Sequence, residues 1–153
     1  MYRVEFIDFF AAMQLFQVAG SYITMSSRPD VLVVDDDPTQ CLEIAEYLHR
    51  RGFDVVEAND AATALRIIET RMPRVVISDI SMPEINGIWM TQKALAQGAA
   101  MKIILMSGDS DMVRAANVQH SGAFAVIHKP VPLKMLASFV ERVVSDPERS
   151  NTA

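Results

Sequence analysis

The stretch of sequence that decides the fold is RVVISDISMP, residues 74–83. It opens with a continuous apolar and β-branched run, which is typical of a strand buried on both faces of a parallel sheet. Such a strand ends where it emerges from the sheet, so we expect Asp79, the single carboxylate of the stretch, to lie at its carboxyl end. Because ligands and chemistry are found at that edge of open α/β sheets, Asp79 is the first candidate functional residue.

Apolar strands and helices alternate on both sides of this stretch. Four further strands are predicted at residues 31–34, 53–58, 101–106 and 123–127. Helices are predicted from Pro38 to about Arg51, from Asn59 or Asp60 to the residues before Pro73, around Trp89 to Leu95, from Asp109 or Ser110 to Gly122, and from about Pro132 to Val144. This alternation indicates an α/β fold, in which a parallel sheet with right-handed crossovers carries helices on both faces.

Length and composition limit the classes of protein to which the chain can belong. Its 153 residues suffice for one domain, and half of them are hydrophobic, which argues against disorder. The formal net charge is −5 and no basic stripe is present, so a nucleic-acid partner is not indicated. The single cysteine, Cys41, cannot form an internal disulfide and fits a reducing, cytoplasmic location.

The two ends of the chain differ in character from its middle. Residues 1–27 form an amino-terminal extension, which we interpret either as a helix or as the artefact of an upstream start. Its uncharged part is shorter than the ~20 apolar residues of a membrane span, so membrane binding is not expected. Residues 28–145 are the predicted domain, and residues 146–153 are a polar tail that we expect to fray. With no second domain predicted, we expect the domain to act alone.

Chemically active side chains follow four of the predicted strands. Asp35 and Asp36 follow the first strand, Asp79 ends the third, Ser107 ends the fourth and Lys129 follows the fifth. Carboxylates about 4 Å apart repel each other by about 4 kcal/mol at an effective dielectric constant near 20, so three of them together require a cation or protonation. A divalent ion with oxygen ligands, such as Mg²⁺, meets this requirement. A metal, a carboxylate, a hydroxyl and an ammonium together suit phosphoryl transfer.

Four motifs resemble the response-regulator receiver domain of two-component signalling. They are VLVVDDDP at residues 31–38, DISMPEING at 79–87, ILMS at 104–107 and KP at 129–130. The resemblance covers roughly residues 30–144. Within the family, the chain is similar to single-domain, chemotaxis-type regulators. It implies a flavodoxin-like, five-stranded parallel sheet in the order 2-1-3-4-5. It also implies a stand-alone phosphoprotein of phosphorelay signal transduction, which contacts a downstream protein.

The resemblance also implies a role for each residue that takes part in phosphoryl transfer. Asp79 is the implied phosphoacceptor, which takes the phosphoryl group from a histidine kinase or a histidine phosphotransfer protein. Lys129 is expected to pair with Asp79 and then with the phosphoryl group, toward which Ser107 turns. The peptide bond before Pro130 is expected to be cis. The chain is not expected to be a conventional enzyme, because it catalyses only its own phosphorylation and dephosphorylation.

For the metal, the resemblance implies Mg²⁺, with Mn²⁺ as a possible substitute. Asp36, Asp79 and the main-chain carbonyl of Ser81 are the implied direct ligands, while Asp35 acts mostly through water. Asp37 matches no metal position of the family, so we expect it to face solvent or to cap a helix.

The chain departs from the family pattern in how it is expected to tune the signal. Val126 lies three residues before Lys129, where the family often carries an aromatic residue that swings inward on activation. Aromatic switching is therefore not expected here. Ser81 and Asp109 occupy the positions that tune hydrolysis of the phosphoryl group. A small Ser81 leaves a path for water open, whereas Asp109 can either orient water or repel it.

Two alternative functions remain open from the sequence. The run from Asp35 to Thr39 also resembles the nucleophile motif of haloacid-dehalogenase-like phosphohydrolases, with Asp35 as nucleophile and Asp37 as general acid. That assignment leaves Asp79 without a purpose and lacks a later strand that ends in an acidic pair. The other alternative is a receiver-like adaptor that works by binding alone.

Overall fold

The computed structural model describes residues 28–98, 100–110 and 121–146. Within these ranges five parallel strands form one sheet in the order β2-β1-β3-β4-β5. The strands are β1 Val31–Val34, β2 Val55–Ala58, β3 Val75–Asp79, β4 Lys102–Ser107 and β5 Ala125–His128. The predicted fold class and strand order are therefore confirmed: the fold is the flavodoxin-like α/β fold.

Four helices of the described residues cover the two faces of the sheet. They are α1 Pro38–His49, α2 Ala61–Arg71, α3 Gly87–Ala96 and α4 Leu133–Ser145. Helices α2 and α3 pack on one face, and α1 and α4 pack on the other. A parallel sheet needs cover on both faces, because each of its strands is buried on both sides.

The hydrophobic core is divided by the sheet into two clusters. Leu32 and Val34 of β1 belong to the cluster beneath α2 and α3, whereas Val31 and Val33 belong to the cluster beneath α1 and α4. Successive side chains of a strand point to opposite faces, so one continuous apolar run serves both clusters. All residues of β1 and β3 are buried, which holds their carboxyl ends in place.

The element boundaries differ slightly from those predicted. Strand β2 begins at Val55 rather than at residue 53, and β5 spans Ala125–His128 rather than residues 123–127. The helix predicted between Asp109 or Ser110 and Gly122 falls largely on residues 111–120, outside the described residues. The amino-terminal extension, residues 1–27, and most of the predicted tail also lie outside them. No helix in the described part of the chain is long and apolar enough to cross a membrane.

Candidate functional site

The carboxyl edge of the sheet brings the predicted site residues together. Asp35 directly follows β1, Asp79 is the last residue of β3, and Ser107 is the last residue of β4. Lys129 directly follows β5, and its backbone N–H donates to the carbonyl of Ser107 at 2.8 Å. The carboxyl ends of four parallel strands thus lie together in one small region, as expected from the sequence.

Three carboxylates of this edge form a cluster. Asp35, Asp36 and Asp79 can each offer one oxygen so that the three oxygens lie within 4.8 Å of one another. The Asp35 and Asp79 side chains are buried, with residue exposures of only 1% and 7%, whereas Asp36 is exposed. The cluster therefore combines two carboxylates that have lost most of their water with one that opens to solvent.

Lys129 is the cation of this cluster. Its Nζ lies 3.3 Å from Oδ2 of Asp35 and 3.3 Å from Oδ2 of Asp79, so the ammonium bridges the two buried carboxylates. A third contact is shorter, because Nζ donates to Oε1 of Gln40 at 2.9 Å. The contacts with Asp35 and Gln40 are hydrogen bonds, and the contact with Asp79 is an ion pair.

The Asp35 carboxylate is held from both sides. The backbone N–H of Asp37 donates to its Oδ1 at 2.9 Å, while Lys129 contacts its Oδ2. Burial raises the pKa of Asp35 above its usual value, and the nearby charge of Asp79 acts in the same direction. The hydrogen bond from Asp37 and the charge of Lys129 oppose that rise in pKa.

Asp37 is the N-cap of α1, which was one of its two expected roles. Its Oδ1 accepts hydrogen bonds from the backbone N–H of Thr39 at 2.9 Å and from that of Gln40 at 3.5 Å. Its Oδ2 accepts from Nε2 of Gln40 at 2.9 Å. These hydrogen bonds, that of the Gln40 side chain first, lower the pKa of Asp37. Pro38 occupies the first turn, where a backbone N–H has no acceptor within the helix, so its absence loses no hydrogen bond.

Gln40 is the site residue that sequence reasoning missed. It lies in the first turn of α1 and contacts both Lys129 and Asp37 through its side-chain amide. A glutamine on an exposed helical turn carries no charge and matches no motif, so the sequence offers little signal for it. The only clue is its position five residues after Asp35, one helical turn above the acidic run.

The two serines of the site make local hydrogen bonds. The backbone N–H of the exposed Ser81 donates to Oδ1 of Asp79 at 3.3 Å. The Ser107 hydroxyl accepts from the backbone N–H of Asp109 at 3.0 Å and contacts the carbonyl of Asp109 at 3.3 Å. Ser107 is therefore tied to the loop after β4 in this state. The peptide bond between Lys129 and Pro130 is cis.

The loop after Asp79 returns closely to β3 at Gly87. The backbone N–H of Gly87 donates to the carbonyl of Ile80 at 2.9 Å. A Cβ added at Gly87 would overlap the main-chain oxygen of Asp79 and would lie 3.1 Å from its carbonyl carbon. Only glycine allows α3 to begin this close to the backbone of Asp79. This contact explains the glycine of the DISMPEING motif.

Val126 lies in the interior of β5, paired in register with Leu105 of β4. Its side chain is half-buried and packs against the cluster beneath α2 and α3. A small aliphatic side chain thus occupies the position at which the resembling family often carries an aromatic residue.

The donor set of the cluster fits a divalent metal ion. Carboxylate oxygens are the ligands that Mg²⁺ prefers, and Mg²⁺ is usually held by one or two carboxylates together with water and phosphate oxygens. Three carboxylates and one ammonium leave two formal negative charges at the site, −3 + 1 = −2, which one divalent cation balances. The exposed Asp36 leaves this side of the cluster open to solvent.

Comparison with known proteins identifies the class of protein that this fold and this acidic edge define. A profile of the response regulator receiver domain matches residues 31–141. The match covers well over half of the chain, so the chain belongs to the receiver domain family of two-component response regulators. Receiver domains of this family receive phosphoryl groups from histidine kinases and typically bind Mg²⁺ at an acidic pocket.

Individual relatives agree with the family match. The DNA-binding transcriptional regulator NtrC of Azospirillum brasilense is 30% identical over 119 residues, which cover 78% of this chain and 25% of the relative. The sensor protein EvgS of Escherichia coli O157:H7 is 26% identical over 140 residues, which cover 92% of this chain and 12% of the relative. The chain spans a quarter of the first relative and about an eighth of the second.

A solved structure shares the fold. The signal receiver domain of a signal transduction histidine kinase from Syntrophus aciditrophicus superposes with a TM-score of 0.70 at 28% identity. The superposition covers 80% of this chain and 95% of that chain. Receiver domains thus occur both in regulators and in sensor kinases that resemble this chain.

The phosphohydrolase alternative does not agree with the geometry. That assignment requires Asp37 as a general acid, yet both of its carboxylate oxygens accept hydrogen bonds at the start of α1. It also requires a later strand that ends in an acidic pair, whereas the described chain after Lys129 contains only α4. Together with the family membership, these observations remove Asp35 as a candidate nucleophile.

Proposed function

We propose that Asp79 accepts a phosphoryl group from a histidine kinase or a histidine phosphotransfer protein, and that the chain thereby acts as a phosphorylated switch. The observation that carries this proposal is the position of Asp79 at the end of β3, with Lys129 Nζ 3.3 Å from its Oδ2. A buried carboxylate nucleophile next to a fixed cation is the arrangement that phosphoryl transfer requires. Asp35 is also buried and also lies 3.3 Å from Lys129 Nζ, but the resemblance gives the role of phosphoacceptor to the aspartate of the DISMPEING motif, which is Asp79.

The proposed reaction has two steps. A carboxylate oxygen of Asp79 attacks the phosphorus of the donor, the O–P bond forms, and the P–N bond to the donor histidine breaks. The electron pair of that bond stays on the imidazole nitrogen, which takes a proton from solvent. Water later attacks the phosphorus, the bond to Asp79 breaks, and inorganic phosphate leaves. In both steps Lys129 holds positive charge beside the phosphoryl oxygens, and the Ser107 hydroxyl turns from Asp109 to donate to them.

Mg²⁺ is the proposed cofactor, and Mn²⁺ is a possible substitute. Asp36, Asp79 and the main-chain carbonyl of Ser81 would hold the ion, with Asp35 behind them acting through water. When bound, the ion neutralises the carboxylates and the phosphoryl oxygens that meet at this edge. Ser81 and Asp109 are the residues that we propose to set the rate at which water removes the phosphoryl group.

Intact-mass measurement after incubation with acetyl phosphate and Mg²⁺ tests the proposal. We expect one added phosphoryl group on the natural protein and none on Asp79→Asn. The matched control is Asp60→Asn, because Asp60 is an exposed N-cap of α2 and asparagine caps equally well. Asp60→Asn should be labelled like the natural protein.

Two results would contradict the proposal. Undiminished labelling of Asp79→Asn would remove Asp79 as the acceptor. Absence of labelling in the natural protein, combined with unchanged amide spectra at Ser107 and Lys129 on adding magnesium and beryllofluoride, would leave an adaptor that works by binding alone.

We further propose that the receiver acts as a stand-alone protein in the cytoplasm, where histidine kinases obtain ATP. Its signal would then leave through contact with a downstream protein. Immunoblotting of the source cells tests this point. A band near 17.0 kDa would support it, while a much larger band would show that the receiver is part of a longer protein.

A further inference from the structure

The side-chain amide of Gln40 connects Lys129 to the first turn of α1. Its Oε1 accepts from Lys129 Nζ at 2.9 Å, and its Nε2 donates to Oδ2 of Asp37 at 2.9 Å. An ammonium only donates and a carboxylate only accepts, so a flipped amide would place like groups against each other at both ends. The two contacts therefore determine the orientation of the amide.

Gln40 differs from the other two partners of Lys129 in its charge. Asp35 and Asp79 are carboxylates, and both belong to the cluster that fits a metal ion. Under the proposed function Asp79 changes its charge and its geometry each time it gains or loses a phosphoryl group. The Gln40 oxygen is neutral and lies outside the chemistry. Among the three partners of Lys129, it is the one that belongs neither to the phosphoryl-transfer step nor to the carboxylate cluster.

We propose that Gln40 is a positioning residue, which holds the Lys129 ammonium at Asp79 and couples its position to the N-terminal turn of α1. This inference rests on the proposed function. Asp37 completes the connection, because the same carboxylate accepts from the Gln40 side chain and caps α1 through the backbone N–H of Thr39. When Lys129 moves toward a phosphoryl group, the amide and the cap are displaced with it. The start of α1 thereby reports the state of Asp79.

Replacement of Gln40 by methionine tests the positioning role. Methionine keeps the length of the side chain but offers no hydrogen bond of comparable strength to Lys129 or Asp37. We expect the initial rate of labelling by acetyl phosphate to fall by about tenfold, the lower end of the range for one lost hydrogen bond to a charged group. Gln97→Met is the matched control, because Gln97 is an exposed glutamine at the end of α3 and should label normally.

Nuclear magnetic resonance provides a readout that a merely structural role would not change. The Lys129 ¹⁵Nζ signal should be visible in the natural protein and in Gln97→Met, because Nζ donates to Asp35 and to Gln40 and forms an ion pair with Asp79. In Gln40→Met it should broaden or disappear. Magnesium with beryllofluoride should shift the amide signals of Thr39 and Gln40 in the natural protein. In Gln40→Met this shift should be at least halved, whereas the amide signal of Ser107 should still shift when magnesium and beryllofluoride are added.

The outcomes separate this inference from the proposed function. If the natural protein is not labelled at all, the proposed function fails. If it is labelled, and Gln40→Met matches it in rate or in the Lys129 Nζ signal, the positioning role is overturned. Equal beryllofluoride shifts at Thr39 would overturn the coupling to α1. Thermal melting checks that the variant folds, and Gln40→Leu serves as the second variant if methionine lowers stability.

Discussion

Lys129 is the residue on which the charge balance of the acidic edge depends. Two carboxylates about 4 Å apart repel by about 4 kcal/mol at an effective dielectric constant near 20. The Lys129 ammonium offsets part of this repulsion because it lies 3.3 Å from each of Asp35 and Asp79. With Asp36 included, three carboxylates face one ammonium, so a formal charge of −2 remains at this edge, −3 + 1 = −2. A divalent cation at this edge would complete the balance.

Cys41 yields a prediction at the residue scale. Its thiol is fully buried in the cluster beneath α1 and α4, and burial raises its pKa from 9.0 to about 11. A pKa higher by about two lowers the thiolate fraction at pH 7 by about 100-fold, and only the thiolate reacts with disulfide reagents. We expect negligible reaction of the native protein and rapid reaction in denaturant, measured with a chromogenic disulfide. Fast reaction of the folded protein would contradict the described burial.

The sequence predicted the charged residues of the site better than the neutral one. Asp35, Asp79 and Lys129 could be placed together because strand ends of a parallel sheet share an edge. The cap role of Asp37 was one of two expectations, supported by the proline that follows it. The contact of Gln40 with Lys129 joins residues 89 positions apart and depends on side-chain rotamers. Such a contact cannot be read from local patterns.

At the scale of single elements, the start of α3 is the most constrained feature near the site. Asn86 caps this helix by accepting from the backbone N–H of Trp89 at 2.8 Å, and Gly87 then contacts the backbone of Asp79. The loop between β3 and α3 therefore has its two ends joined. Any residue larger than glycine at position 87 must move either the helix or the proposed phosphoacceptor.

Gly87→Ala is predicted to lower both stability and labelling. Overpacking against backbone atoms costs about 1–3 kcal/mol of the free energy of unfolding. Displacement of Asp79 from Lys129 should also slow labelling by acetyl phosphate. Denaturant unfolding and intact mass measure the two effects. The control is Gly108→Ala, because a Cβ there meets no atom within 4 Å, so its stability should remain close to that of the natural protein. A fully stable and active Gly87→Ala would contradict this account.

Element boundaries were predicted less well than element order. Strand β5 begins two residues later and ends one residue later than expected, although the backbone N–H of Phe124 already donates to the carbonyl of Ile103 in β4. Phe124 itself is half-exposed and packs on Phe139 of α4, with a ring-centroid distance of 4.8 Å. Its apolar character extended the predicted strand, although its ring contacts Phe139 of α4 and Lys102 of β4 and belongs to neither core cluster.

At the scale of the whole molecule, strand order determines function by deciding which strand ends are neighbours. Strands β1 and β3 are adjacent at the centre of the sheet, so their acidic ends meet. Periodicity alone predicted a parallel sheet covered on both faces. The particular order of the strands came from the resemblance to receiver domains, since alternating apolar runs are compatible with several orders.

Magnesium is predicted to stabilise the folded protein. A ligand that binds only the native state at 100 times its dissociation constant adds about 2.7 kcal/mol to the free energy of unfolding. For a domain of this size the melting temperature should rise by roughly 5 to 10 °C. Asp36→Asn should reduce this rise because it removes a proposed ligand, and EDTA should abolish it. Asp60→Asn, which removes a carboxylate that is not a member of the cluster, should keep the full effect, and an equal rise in Asp36→Asn would argue against the proposed site.

The most direct test of the central claim is to trap the phosphorylated residue with borohydride. The reagent reduces an acyl phosphate and leaves a permanent mass change on the side chain that carried it. After phosphorylation by acetyl phosphate with Mg²⁺, peptide mass spectrometry should find this change at Asp79 alone. A change at Asp35 or Asp36, or an unmodified Asp79 in protein that has gained a phosphoryl group, would contradict the account.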